Sequence, residues 1–281
     1  MSNPRVGLLG LGLIGSVWAR HLHADGVLGG AWNRTPQPEF PGWCPDPAEV
    51  CARSEVLIIC VADPVAVEEV LEAAGGALQP HHLVVQSSTI DPRSAERFAA
   101  WVEARGARYV EAPFTGSLPA AQARETVFYL GGAEAVLEAV EPVLAPLSKA
   151  RFRVGSAPQA ATLKLAFNMQ IAAQAQMLCE SLHLCREAGI ADDTFFACLR
   201  PNVAWSGLTT LKEPKLRAAD YAPQFSVKHL AKDVRLALAS GAATALPATT
   251  AVSAKLEEAL AAGFGEEDFI ALYKLLANEA G

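Results

Sequence analysis

The stretch Gly10-Leu11-Gly12-Leu13-Ile14-Gly15 decides the fold of the first part of this chain. An apolar run at 6–9 precedes it and predicts a buried strand, and the segment 16–24 after it predicts a helix. A G-x-G-x-x-G turn between a strand and a helix is typical of dinucleotide binding, because its glycines let the backbone turn tightly and approach a pyrophosphate. The helix N-terminus then offers N–H groups to the phosphates. The cofactor contacts predicted here are Gly10, Leu11, Gly12, Leu13, Ile14 and Gly15.

The residues after the second predicted strand, at 27–32, indicate which dinucleotide binds. NAD sites usually place Asp or Glu about 20 residues past the glycines, where the carboxylate binds the ribose 2′-hydroxyl. This chain has Asn33, Arg34 and Thr35 there, so no carboxylate would repel a 2′-phosphate. The Arg34 guanidinium can pair with phosphate and stack on adenine, and a solvated loop arginine is the alternative interpretation. We therefore expect NADP(H), with NAD also open.

Composition and charge narrow the classes of function. The 281 residues are enough for two domains, and the formal net charge of -7 disfavours nucleic acid and anionic membranes as partners. No stretch reaches about 18 uninterrupted apolar residues, and the first predicted strand begins too early to leave room for a signal peptide. The six cysteines form no C-x-x-C pair, and neither they nor the histidines show metal-ligand spacing. These features predict a cytoplasmic protein with reduced thiols and no metal site.

The order of predicted elements changes once along the chain. Strands and helices alternate through residue 155, which predicts an α/β fold with a mostly parallel, doubly wound sheet. The segment 160–188 then contains neither Gly nor Pro and predicts one helix of about 29 residues, roughly 43 Å long. Further helices are predicted at 192–199, 226–240, 247–262 and 267–280. We expect a Rossmann dinucleotide-binding domain over 1–156 and an all-helical domain over 157–281, joined by the long helix.

Lys164 and Asn168 are the leading candidates for chemistry in the long helix. They are four residues apart, so they share one helix face at about 6 Å along the axis. Their sequence neighbours are mostly apolar, and a lysine in such surroundings loses hydration, which favours its neutral form. Such a lysine can exchange a proton with a carbonyl or alcohol oxygen, while the asparagine holds the substrate. The alternative is a lysine that extends from an amphipathic helix into solvent.

The stretch 225–233 carries a second group of polar residues on a predicted helix. Lys228 and Lys232 are four residues apart and share a stripe, and Asp233 can orient a lysine or anchor a polar network. From the pattern alone, a solvated helix face is the default interpretation.

Together these motifs resemble the β-hydroxyacid dehydrogenase family, and the resemblance covers essentially the whole chain. The family includes 3-hydroxyisobutyrate dehydrogenases, glyoxylate/succinic semialdehyde reductases and, more remotely, 6-phosphogluconate dehydrogenases. The segment 111–117 matches the family's substrate-binding segment, Lys164 and Asn168 match its K-x-x-x-N pair, and Lys232-Asp233 matches its K-D motif. The resemblance implies that Lys164 is the general acid/base of a hydride transfer that uses a nicotinamide cofactor.

The resemblance also implies a role for each of the other motif residues. Substrate contacts are expected from Thr115, Gly116, Ser117, Phe225 and Asp233, and Asn168 joins Lys164 as a catalytic residue. Cofactor contacts are expected from the glycine turn and from Asn33, Arg34, Thr35, Val61, Ala62, Asp63, Thr89 and Lys232. The substrate is expected in the cleft between the two domains, and a homodimer or homotetramer is implied.

Some features place the sequence within one branch of the family, and others depart from it. The run 117–120 and the stretch 228–238 are similar to the glyoxylate and succinic semialdehyde reductases, which predicts reduction of a small carboxylated aldehyde by NADPH. Thr115 replaces the usual serine and adds a methyl group to the predicted pocket. Pro158 and Ala160 replace glycines that let the family's backbone approach the nicotinamide.

Two other functions stay open from the sequence. A dinucleotide-binding sensor with little catalysis would account for the bulkier residues between Gly155 and Lys164, but it would have no need of the Lys164, Asn168, Lys232 and Asp233 set. An imine reductase is the other alternative. Lys164 argues against it, because that related group usually carries Asp or Tyr at this position.

Overall fold

The computed structural model describes residues 4–240 and 245–279. The chain forms two compact units, one through Leu165 and one from Ala166 onward. Their boundary falls inside a long helix. The division into functional domains at 156/157 stays a prediction.

The first unit is built on one eight-stranded sheet. Its strands are β1 (Val6–Leu9), β2 (Leu28–Trp32), β3 (Val56–Ile59), β4 (Leu83–Gln86), β5 (Arg108–Glu111), β6 (Phe114–Thr115), β7 (Thr126–Gly131) and β8 (Ser148–Gly155). The order is β2-β1-β3-β4-β5-β7-β6, with β8 paired to β7. Strands β1 to β5 pair in parallel, and the pairs that β7 makes with β5 and β6 are antiparallel. The predicted α/β Rossmann fold is confirmed.

The strand order creates a topological switch beside β1. The chain moves from β1 to β2 on one side and returns to β3 on the other, so the connections after β1 and β3 diverge. In open parallel sheets, ligands bind at the carboxyl ends of the strands next to such a switch. The glycine turn follows β1 directly and therefore lies at that edge.

Helices cover both faces of the sheet. They are α1 (Gly15–Ala24), α2 (Pro47–Ala52), α3 (Pro64–Ala74), α4 (Pro92–Glu103), α5 (Leu118–Gln122) and α6 (Glu134–Leu144). Capping aspartates begin two of them: Asp63 accepts from Ala66 N at 2.8 Å, and Asp91 accepts from Ser94 N at 3.0 Å. Proline follows each cap, where its missing N–H costs nothing.

The core of the first unit lies in two layers, as expected for a sheet with both faces buried. One layer is centred on Trp18 of α1, which packs edge-on against Phe114 with ring centroids 4.7 Å apart. The other layer joins strand residues such as Ile59 to Phe98 of α4.

The second unit is helical throughout its described residues. Helix α7 (Ala157–Glu187) crosses the unit boundary, and α8 (Asp192–Leu199), α9 (Gly207–Ala218), α10 (Val227–Ser240), α11 (Pro247–Ala261) and α12 (Leu272–Glu279) follow, with a 3-10 turn at Phe269–Ala271. Their apolar faces meet in a third core that includes Leu182, Leu230 and Leu256. The predicted all-helical C-terminal region is confirmed.

Three helices of the C-terminal region differ from the sequence-based expectation. Helix α7 begins at Ala157 rather than at 160, because Gln159 Oε1 accepts from Ser156 N at 2.8 Å and Pro158 fits the first turn. Helix α9 has no sequence-based counterpart. The helix predicted over 267–280 begins only at Leu272, after the 3-10 turn, and Ala280 lies outside the described residues.

Candidate functional site

The three glycines of the turn have different local constraints. A Cβ on Gly10, whose φ is +111°, would lie 2.2 Å from the Cys60 carbonyl oxygen. A Cβ on Gly15 would lie 2.0 Å from the Gly10 carbonyl oxygen. A Cβ on Gly12 would meet no atom within 4 Å. The fold therefore requires glycine at the first and third positions, whereas the middle one keeps a space open.

Asn33 connects the end of β2 to the glycine turn. Its Oδ1 accepts from Leu11 N at 3.0 Å, and its Nδ2 donates to the Thr35 carbonyl at 3.1 Å. The neighbouring Arg34 side chain is 81% exposed, and its guanidinium lies 3.8 Å from the Glu69 carboxylate. Asn33 thus fixes the turn, and Arg34 is presented at the surface beside it.

Two further loops end at the same edge of the sheet. Val61, after β3, donates its N–H to Ser88 Oγ at 2.8 Å, which ties this loop to the one after β4. Thr89 follows Ser88 directly, and Ala62 is exposed. Asp63 serves as the cap of α3, so its carboxylate already has a structural partner. Sequence reasoning missed Ser88, although its loop was singled out.

This edge fits a dinucleotide. The space above Gly12 allows the close backbone approach that a pyrophosphate needs. Helix α1 has no side-chain cap and no acidic residue in its first turn, so its N–H groups and dipole favour a phosphate there.

The segment after β5 forms a strained turn with hydroxyl groups on either side. Gly116 has φ +108°, and a Cβ there would lie 2.8 Å from the Ala120 Cβ, so only glycine fits. The Thr115 hydroxyl hydrogen bonds to the Tyr129 hydroxyl, while burial raises the pKa of Tyr129. Ser117 stands at the N-cap of α5, but its hydroxyl makes no capping hydrogen bond.

Lys164 is buried on α7 within the first unit. The residue is only 8% exposed, and its Nζ lies 5.9 Å from the centre of the Phe114 ring. Phe114 immediately precedes Thr115, so the structure brings the predicted acid/base to the predicted substrate segment. The solvent-extended alternative for this lysine does not hold.

In the second unit, two of the predicted site residues converge on the carboxylate of a third. Asn168 Nδ2 donates to Asp233 Oδ2 at 2.5 Å, and both residues are almost fully buried. Lys232 Nζ lies 2.6 Å from Asp233 Oδ1, an ion pair outside good hydrogen-bond geometry. Asp233 therefore orients the Asn168 amide and lies beside the Lys232 ammonium group.

Phe225 is held by a buried ion pair that the sequence analysis missed. Its ring meets Phe269 edge-on at 5.9 Å, and its N–H points at Asp268 Oδ2 at 3.4 Å. The same oxygen accepts from Lys212 Nζ at 2.8 Å and from Gln224 N at 2.9 Å. Burial lowers the pKa of Lys212. The separation of Lys212 and Asp268 in sequence left no local signal for this pair.

A histidine lies beside this segment, at the start of α10. His229 Nδ1 and Ser226 Oγ are 2.7 Å apart. Burial, together with the charges of Lys232 and Lys228, lowers the pKa of His229. The imidazole is therefore neutral near pH 7 and forms part of the local hydrogen bonding.

Within residues 4–240 and 245–279, no three His, Cys, Asp or Glu side chains are grouped so that they could hold a metal ion. No helix of these residues combines the length and apolar character needed to cross a membrane.

Comparison with known proteins identifies the class. Residues 5–155 match the family model described as the NAD binding domain of 6-phosphogluconate dehydrogenase. Residues 159–276 match the one described as NAD-binding of NADP-dependent 3-hydroxyisobutyrate dehydrogenase. The chain belongs to the β-hydroxyacid dehydrogenase family. It is an NAD(P)-dependent oxidoreductase, and its cofactor is a nicotinamide dinucleotide.

Individual relatives are similar to this chain over most of its length. Glyoxylate/succinic semialdehyde reductase 1 of Arabidopsis thaliana is 29% identical over 278 residues, covering 95% of this chain and 96% of the relative. The cytokine-like nuclear factor N-PAC of Mus musculus is 28% identical over 97% of this chain, which spans 51% of that protein. The Mycobacterium tuberculosis 3-hydroxyisobutyrate dehydrogenase solved with L-serine has the same fold, with a TM-score of 0.88, 23% identity and coverage of 98% and 99% of the two chains.

Proposed function

We propose that this protein reduces a small carboxylated aldehyde, such as glyoxylate or succinic semialdehyde, to its hydroxy acid with NADPH. The observation that carries the proposal is the burial of Lys164 beside Phe114, next to the Thr115–Ser117 turn. A buried lysine adjacent to hydroxyl and backbone donors suits a substrate with both a carbonyl and a carboxylate. The similarity to an Arabidopsis protein named for this activity supports the same substrate class.

In this proposal, Lys164 gives a proton to the carbonyl oxygen as the hydroxy acid forms, and takes it back in the reverse direction. The bound dinucleotide supplies the hydride. Lys164 thus acts as general acid or base, and Phe114 keeps bulk water away from its ammonium group.

The substrate carboxylate needs hydrogen-bond donors, which the turn after β6 supplies. The Thr115 hydroxyl is engaged by Tyr129, whereas the Ser117 hydroxyl does not cap α5. Ser117 is therefore the main side-chain donor to the carboxylate in our proposal, and Gly116 contributes its backbone N–H. The methyl group of Thr115 narrows the turn and favours small substrates.

The residues of the second unit take supporting roles in the proposal. Asn168 and Phe225 contact the substrate, and Lys232 contacts the cofactor. Asp233 contributes to substrate binding mainly through the fixed direction of the Asn168 amide.

The preference for NADP(H) is proposed from the end of β2. Arg34 is exposed there and carries no neighbouring carboxylate in its own loop, which suits a 2′-phosphate. NAD can still bind, because the glycine turn contacts only the pyrophosphate, which NAD and NADP have in common. A homodimer or homotetramer and a cytoplasmic location complete the proposal.

The test is the oxidation of NADPH and NADH, followed at 340 nm, with glyoxylate, succinic semialdehyde, methylmalonate semialdehyde and tartronate semialdehyde. We expect turnover with NADPH and at least one of these aldehydes. Dinucleotide binding is measured in parallel by protein fluorescence. Binding without turnover of any aldehyde would contradict the proposed reaction.

A dinucleotide-binding module with little catalysis is the second candidate. It is favoured by the similarity to N-PAC, a protein named as a nuclear factor and matched over 97% of this chain. Tight NADPH binding without turnover of aldehydes or cyclic imines would support it. Turnover of cyclic imines alone would instead indicate an imine reductase.

A further inference from the structure

A buried polar network joins the ends of β4 and β5. Gln86 Nε2 donates to Glu111 Oε1 at 2.9 Å, and the Tyr109 hydroxyl lies 2.6 Å from Glu111 Oε2. Gln86 and Glu111 are fully buried, and Tyr109 is nearly so. None of the three has a role in the reaction proposed above.

The network continues into the loops of the cofactor edge. Gln86 Oε1 accepts from Ser88 N at 2.6 Å, and Gln86 Nε2 also donates to the Ser88 carbonyl at 2.9 Å. The Ser88 hydroxyl then accepts from Val61 N at 2.8 Å. A continuous chain of hydrogen bonds thus runs from Glu111 through Gln86 and Ser88 to Val61, next to Thr89.

Glu111 determines which way the Gln86 amide points. If the amide were reversed, its oxygen would face Glu111 Oε1, and its NH₂ group would face the Ser88 N–H. Both contacts would be repulsive. The carboxyl group of Glu111 therefore selects the orientation that closes the loop after β4.

The surroundings of Glu111 favour its neutral form. Burial raises the pKa of this carboxyl well above its usual range, and the charge of Asp91 raises it further, against hydrogen bonds from Tyr109 and Gln86. In the described part of the chain, no Lys, Arg or His forms an ion pair with Glu111. A buried carboxylate without a cation is unfavourable, whereas a neutral acid can share its proton with the Tyr109 oxygen.

We infer that Glu111 is a positioning residue for the nicotinamide dinucleotide. As a neutral acid it fixes Gln86, and Gln86 holds Ser88, Thr89 and Val61 in the arrangement that binds the cofactor. Glu111 itself does not touch the dinucleotide. The inference rests on dinucleotide binding and is independent of the substrate.

The test compares Glu111→Gln with Glu111→Leu by the Kd of NADPH, measured by protein fluorescence. The glutamine can donate to Tyr109 and accept from Gln86, so we expect a Kd within about twofold of the wild type. Leucine removes both contacts, and we expect the Kd to rise at least about tenfold while cooperative thermal unfolding persists. A folded Glu111→Leu protein with wild-type affinity would overturn the inference, and so would a Glu111→Gln protein as weak as the leucine variant.

Tyr109→Phe is the matched control, because it removes a hydrogen bond to the same carboxyl but leaves the Gln86 contact. Its Kd should stay within about twofold of wild type, and only its stability should fall. If Glu111→Leu does not fold, Ser88→Ala tests the same chain of contacts, since it frees the Val61 N–H. We expect it to weaken NADPH binding about threefold or more, and an unchanged Kd would overturn the inference.

The wild-type protein is titrated first with NADPH and NADH. If it binds neither, dinucleotide binding itself fails. If it binds a dinucleotide and the Glu111 variants bind NADPH with the same Kd as each other, the positioning role of Glu111 fails, and the proposed reaction is unaffected.

Discussion

Asn168 donates its amide hydrogen to Asp233 Oδ2 at 2.5 Å, across 65 positions of sequence. The two residues lie on α7 and α10, and Lys232 pairs with the other oxygen of the same carboxylate. Because the amide is held from one side, it meets any ligand in a single orientation. One buried aspartate thereby controls two other polar groups.

We expect Asp233→Ala to lower kcat/KM for the preferred aldehyde about 10- to 100-fold, since hydrogen bonds to a charged partner contribute about 1.5–3 kcal/mol. Asp233→Asn keeps an oxygen for Asn168 and should lose less. Steady-state kinetics of both variants at fixed NADPH provide the measurement. A wild-type kcat/KM for Asp233→Ala would remove this residue from the site.

Lys164→Met should lower kcat about 10²- to 10⁴-fold, because a positioned proton donor contributes about that factor. The methionine fills a similar volume, so the Kd of NADPH should not change. Lys149→Met is the control, since that lysine is exposed and 3.9 Å from Glu125. Near-normal kcat in Lys164→Met would exclude Lys164 as the general acid.

Arg34→Ala should raise the KM of NADPH about tenfold and leave the KM of NADH unchanged, because only NADPH carries the 2′-phosphate. Glu69→Gln should have the opposite, smaller effect, since it releases the exposed Arg34 from its pair. Both constants come from cofactor titrations at saturating aldehyde. Equal losses for the two cofactors would instead indicate a general role of Arg34.

Lys212→Met should destabilise the folded protein by about 3–5 kcal/mol, because it leaves the buried Asp268 charge without its cation. Adding Asp268→Asn should restore part of this loss, since the amide oxygen can still accept from Gln224 N. Urea unfolding of the single and double variants gives the free energies. A double variant less stable than Lys212→Met would contradict this account of the pair.

The protein should lose stability as the pH falls below about 6.5, partly through His82. Burial lowers the pKa of this histidine from 6.5, and its ring accepts from Gln79 N at 2.8 Å, which requires a neutral nitrogen. Below the pKa that His82 has in the unfolded chain, the histidine takes up a proton when the chain is unfolded but stays neutral in the folded protein. The melting temperature should therefore fall less steeply between pH 7.5 and pH 5 in His82→Asn than in the wild type. An unchanged slope would mean that other groups dominate.

The sequence analysis succeeded where spacing alone sets the structure. The glycine turn after β1 and the long helix that carries both Lys164 and Asn168 follow from short-range rules, and the structure has each of them. It failed for α9, because several buried positions of that helix are polar, among them Lys212. The helix therefore lacks the regular spacing of apolar residues that predicts an amphipathic helix.

The Glu111 network was missed for a different reason. Its members come from separate strands, and only the pairing of Gln86 with Glu111 across β4 and β5 brings them together. A single sequence contains no signal for that pairing. The contact between Asn33 and Leu11 was missed in the same way. The asparagine was expected to contact the cofactor, and the structure shows that it also anchors the glycine turn.

At Gly12, the requirements of folding differ from the requirements of ligand binding. Its backbone conformation and its surroundings would both accept an alanine. A procedure that optimised this chain for thermostability alone would therefore replace it with alanine, because alanine lowers the conformational entropy of the unfolded chain and so stabilises the fold. We expect the resulting protein to be more stable but to bind the dinucleotide poorly, so that the glycine the fold needs least is the one that cofactor binding needs most.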